Sequence, residues 1–185
     1  MSQVKQGDRN PSGNGVTISL APGGVGLASS ASLIVGRCSS RIVLAPTSGV
    51  SPADAAYAWE SLRFTGKIRV GTPTVNTGYI GIWVVGDQSD NGAGVYTFPN
   101  GITGSDAAFS WASEGQREAV ARRAATLWVD TTTANTDWSF DFYLAPLFFL
   151  PPKAVVLYVA HSTGAALNAT EANHVWNVYG QRVDG

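Results

Sequence analysis

The sequence predicts an all-β domain in which two sheets pack face to face with little helix. One reason is the C-terminal region, where Trp138-Ser-Phe-Asp-Phe-Tyr-Leu144 alternates apolar and polar residues. After the Pro151-Pro152 break come a β-branched run, Lys153 to Ala160, and a final aromatic-rich run, His174 to Gly180. A second reason is composition: only 14% of residues are charged, with 21 Gly and 9 Pro, whereas helices usually solvate an exposed face with Lys and Glu. A third is spacing, since the connections are long and uneven and lack the helix that a parallel sheet needs after nearly every strand. At 185 residues the chain is long enough to bury a core as one domain.

Residues 1–38 read as an extended N-terminal arm and residues 39–185 as the folded domain. The arm holds Gly7-Asp-Arg-Asn-Pro-Ser-Gly-Asn-Gly15 and Ala21-Pro-Gly-Gly-Val-Gly26, too poor in large apolar residues to build a core alone. Fully extended it would reach on the order of 100 Å. The body starts near Arg41-Ile-Val-Leu-Ala45, and Ser51 to Tyr57 reads as a short helix capped by Ser51 with Pro52 in its first turn.

Leu62 to Val70 alternates, with Leu62, Phe64, Ile68 and Val70 inward and Arg63, Thr65, Lys67 and Arg69 outward. Tyr79 to Val85 reads as a strand buried on both faces. Residues 92–104 read as loop, with a turn at Asn100-Gly101. Ser113 to Ala125 is the second expected helix, with Ser113 and Gln116 as a capping box weakened by Gly115. Thr126 to Val129 resumes the strand pattern.

Catalytic chemistry finds little support. His161 and His174 are the only histidines; no Gly-x-Ser-x-Gly elbow presents a nucleophile, and each histidine reads as a hydrogen-bonded residue at a strand end. Gly23-Gly-Val-Gly26 lacks the strand, helix and Lys-Ser/Thr pair of a phosphate loop. Glu114 and Glu118 share a helical face with arginines and read as surface charge. Asp87 and Asp90 lie in an oxygen-rich loop that could hold a hard cation such as Ca²⁺, without the spacing of a known calcium loop. The lone Cys38 excludes an internal disulfide framework. No apolar run approaches the roughly 20 residues of a membrane span. With no secretory leader at Met1, synthesis in the cytoplasm is expected, and the sequon Asn168-Ala-Thr170 reads as chance.

Nucleic acid is a finer question, because the whole chain carries a net charge of −1. Within the first 42 residues Lys5, Arg9, Arg37 and Arg41 stand against Asp8, a net of 4 − 1 = +3. Two further basic groups are the outward row Arg63, Lys67, Arg69, which reads as a solvated strand face, and the set Arg117, Arg122, Arg123. A few charges per copy become effective against a polyanion only when many copies are arrayed together.

The run Pro151-Pro-Lys-Ala-Val-Val-Leu-Tyr-Val-Ala-His161, the small-residue connector after it and the closing Val175-Trp-Asn-Val-Tyr-Gly-Gln-Arg-Val183 resemble the coat proteins of small icosahedral plus-strand RNA viruses. The order is similar to that of tymovirus coat proteins, and Pro-Lys-Ala-Val-Val looks like the matching strand of bromovirus coat proteins. The weakly basic arm departs from the bromovirus pattern. The resemblance covers about residues 40–185 and implies an eight-stranded jelly roll in Greek-key order, with a flexible arm and one or two short helices.

What it implies for function is a non-enzymatic capsid protein of the virion, assembled in host cytoplasm from copies of itself around single-stranded RNA. Expected RNA contacts are Arg117, Arg122 and Arg123, with Lys5 and Arg9 in the arm. Expected subunit contacts are Tyr96, Phe98, Phe109 and Trp111, although places at the core's margin would explain these aromatics almost as well. No cofactor is expected: the loop at Asp87 and Asp90 reads as a solvated turn, with a Ca²⁺ bridged between subunits as the alternative. The competing readings are a carbohydrate-binding jelly-roll module, a trimeric phage or bacterial decoration protein and, more distantly, a cupin-type enzyme.

Overall fold

A computed structural model describes residues 4–9, 16–43, 61–75, 77–87, 97–148 and 152–183. The strands are β1 (Val4–Arg9), β2 (Val35–Cys38), β3 (Ile42–Val43), β4 (Ser61–Arg69), β5 (Gly78–Gly86) and β6 (Ala107–Ser110). After α1 (Glu114–Val120), the one α-helix among the described residues, follow β7 (Arg122–Val129), β8 (Asp137–Tyr143), β9 (Ala154–His161) and β10 (Val175–Val183). They form two antiparallel sheets packed as a sandwich. One is four-stranded in the order β1-β10-β4-β8; the other is six-stranded in the order β6-β2-β9-β5-β7, with β3 also paired to β9.

The predicted alternation of β4 holds. Leu62, Phe64, Ile68 and Val70 are buried in the sandwich, and Phe140 and Phe142 of β8 meet them, with the Phe64 and Phe142 rings stacked 5.0 Å apart. The gap in the inward row is Gly66. A Cβ there would sit 2.7 Å from Phe140 Cζ and closer still to the Val175 carbonyl, so its hydrogen leaves room for the Phe140–Trp176 contact.

The six-stranded sheet is covered on both faces, as the apolar run of β5 predicts. Ile80, Ile82 and Val84 enter the sandwich core with Val155, Leu157 and Val159 of β9. On the other face Trp83, Val85, Val156, Tyr158 and Ala160 form a second cluster, roofed by Leu33, Phe98, Ile102 and Trp111. Trp83 lies flat across Gly81, where a Cβ would fall 2.1 Å from the ring. Each such fully buried side chain contributes roughly 1.5–3 kcal/mol of transfer free energy.

Two expectations are modified. The helix predicted over 113–125 ends at Val120, because Ala121 turns extended (φ −95°, ψ 145°) and Arg122 onward pairs with β5. The doubly buried β5 needs a partner for its second row of backbone groups, and that demand outweighs the helical propensity of residues 122–125. Residues 16–38, read as arm, are built into the sandwich: Ile18, Leu20 and Leu33 are buried, and β2 pairs with both β6 and β9. Ahead of them β1 pairs with β10. The expected helix over Ser51–Tyr57 lies outside the described residues.

Candidate functional site

Among the described residues the open cleft at Glu171 gathers no reactive set, and the charged and aromatic groups lie on the outer faces and rims. Both histidines hold backbone. His161 is fully buried at the end of β9, with Nε2 2.8 Å from the Leu27 carbonyl and Nδ1 3.0 Å from Thr163 Oγ1. Burial pulls its pKa down to about 4, only partly offset by the backbone carbonyls of Leu27 and Ala28. His174 accepts from the Arg69 N–H through Nδ1 and donates through Nε2 to the Asn168 carbonyl.

Glu171 lines an open cleft of about 420 Å³ with Val16, Ser19 and Trp176. Its carboxylate is taken by Ser19 Oγ at 2.8 Å and by the N–H groups of Leu20 and Ala21 at 3.2 and 2.7 Å. Cys38 is buried, and burial raises its thiol to about 12, which removes it as a nucleophile.

The outer face of β4 and β8 is polar, and two carboxylates engage all three of its cations. Arg63 forks onto Asp141, while Lys67 and Arg69 both reach Asp137, at 2.7 and 2.6 Å. Hydrogen bonds from Arg69 and Lys67 hold the Asp137 carboxyl below its ordinary range, and Arg63 does the same for Asp141. The row that could have read as a phosphate stripe is thus a cross-strand ion-pair ladder, and Tyr143 beside it lies under the Arg63 guanidinium.

The outer face of the six-stranded sheet is organised around Trp83. Arg117 and Arg123 place their guanidinium carbons 4.4 and 5.2 Å from its ring centroid. Glu118 accepts from both arginines and from Trp83 Nε1. Partial burial alone would raise its carboxyl, but the hydrogen bonds from Arg123 and Arg117 outweigh that and leave it below the ordinary value.

These positions redistribute the expected contact residues. Arg117 is only 2% exposed and donates to the Ser32 and Leu33 carbonyls at 3.0 and 2.8 Å, so it is a core strut and not a surface phosphate ligand. Arg123 is half engaged by Glu118. Arg122 is exposed and has no ion-pair partner among the described residues. Lys5 and Arg9 lie on β1, opposite Arg182 and Tyr179 of β10.

Phe98 and Trp111 are buried and Phe109 half-buried, all in the cluster around Tyr158, so they roof the core and do not protrude toward neighbours. Tyr96 and Asp90 lie outside the described residues. Asp87 accepts from the Thr97 N–H at 2.8 Å, and among the described residues no group of three or more His, Cys, Asp or Glu side chains converges on a metal position.

One surface aromatic was not singled out in the sequence. Trp128 on β7 is 67% exposed, with its ring 5.6 Å from that of Tyr79 on the neighbouring strand. A signal existed: between inward Leu127 and Val129, period-2 alternation turns Trp128 outward. Across the sandwich the counterions Asp137 and Asp141 were equally legible, two residues on either side of Ser139. Searches with the chain return no match to any family model, curated protein or solved structure.

Proposed function

We propose that this chain is a structural capsid subunit, a jelly roll that self-assembles into an icosahedral shell around single-stranded RNA. The strand pairing carries the reading. β5 pairs with β7, β4 with β8, β2 with β9 and β1 with β10. Those four nested antiparallel pairs are what a single long hairpin becomes when it is wound into two sheets, with β10–β4 and β5–β9 as the contacts made by winding. Such winding is the Greek-key connectivity of a jelly roll.

Sparse charge supports the reading, since copies packed closely repel little at a net charge of −1. RNA would be held weakly by each copy, through Arg123 and the Lys5–Arg9 strand, and firmly by many copies together. Trp128 tilted against Tyr79 favours one alternative, a sugar-stacking module.

Negative-stain imaging of the purified chain, with its 260/280 nm absorbance ratio, tests the proposal. Uniform shells with a nucleic-acid-rich ratio are expected. A protein that stays at 19.4 kDa contradicts it and makes glycan binding the next assay.

A further inference from the structure

We infer that two copies of the chain join edge to edge through β7, antiparallel across a two-fold axis; this rests on the self-assembly reading above and names the contact. The first support is backbone. β7 ends the six-stranded sheet, with β5 on one side. Among the described residues no backbone or side-chain group bonds to its other side. A row of unpaired N–H and C=O groups is a template for another strand.

The second support is Trp128, whose 67% exposure is the largest among the described large apolar side chains. The third is charge. Arg122 opens the strand and Asp130 follows its end; both are exposed, and neither has an ion-pair partner among the described residues.

Antiparallel self-pairing sets the Arg122 end of one copy against the Asp130 end of the other, twice by symmetry. Thr126 then falls near the axis, with the two Trp128 rings flanking it. Parallel pairing would oppose like charges at both ends. The same features disfavour other occupants: Asp130 repels a nucleic-acid backbone, and a sugar stacked on Trp128 leaves the strand edge unpaired.

The test is sedimentation velocity on the full chain and four variants: Arg122→Asp, Asp130→Arg, the two together, and Trp128→Ser. All altered positions are exposed, and circular dichroism verifies folding. Each single reversal and Trp128→Ser is expected to weaken self-association by about thirty-fold. The double reversal recreates two opposite-charge contacts and recovers to within about three-fold of the original.

Single reversals that associate like the parent, or a double reversal no better than its parts, overturn the inference. Shells formed equally by parent and variants overturn it while leaving the capsid reading intact. Dimers that respond as expected but never form shells uphold the edge contact and overturn the capsid reading. A parent that stays monomeric at every concentration overturns both.

Discussion

On the four-stranded sheet the outward side chains of β4 and β8 satisfy one another: Arg63 with Asp141, Lys67 and Arg69 with Asp137. On the six-stranded sheet the outward side chains of β5 and β9 are large and apolar, and the chain must return over them with Leu33, Phe98, Ile102, Trp111 and α1 to exclude water. On this face, among the described residues, the aromatic that stays exposed is Trp128 of β7, beyond the reach of that roof. A face closed by ion pairs needs no partner, whereas a face closed by a layer of apolar residues leaves an unfinished margin where the layer ends.

Trp83→Ala removes the ring on which Arg117 and Arg123 stack and exposes a cavity above Gly81, so chemical denaturation should show a loss of about 3–5 kcal/mol. Arg117→Met keeps the length but strips the Ser32 and Leu33 carbonyls of their donor, and a loss of roughly 2–4 kcal/mol is expected. Were Arg117 a surface ligand, the same change would leave stability unaltered.

Acid sharpens the contrast further. The folded pKa of His161, about 4, lies below its ordinary 6.5. The unfolded chain therefore binds this proton first, and the stability tied to neutral His161 is whole above pH 6.5 and lost as pH falls toward 4. The loss amounts to on the order of 3 kcal/mol. Urea titrations across that window should show the slope in the parent and not in His161→Gln. The carboxylates of the ladder act with the same sign, but below their ordinary value of 3.8.

The smallest effect belongs to the ladder itself. Asp137→Asn removes two exposed ion pairs, and the change in melting temperature should be slight and vanish in high salt, because exposed pairs are screened and weak.

Period-2 patterning made β4, β5, β8, β9 and β10 legible, because each carries its burial in its own alternation or run. The entry of residues 16–38 into the sandwich was not legible: Ile18, Leu20 and Leu33 are spread among Gly, Ser and Ala, and each fills a place that other segments create. The end of α1 at Val120 is likewise set from outside, by the pairing of β7 with β5. Arg117 shows the same limit at the site. As a residue type it reads as a surface cation, and only the carbonyls of Ser32 and Leu33, more than eighty residues earlier in the chain, make it a strut.

Oxidative footprinting of Trp128 and Tyr143, exposed aromatics of the two outer faces, across a concentration series that drives association asks which face copies bury. Trp128 is expected to become protected as copies associate, while Tyr143 on the ion-paired face reacts as before. Protection of Tyr143 with Trp128 unchanged would contradict the edge contact through β7.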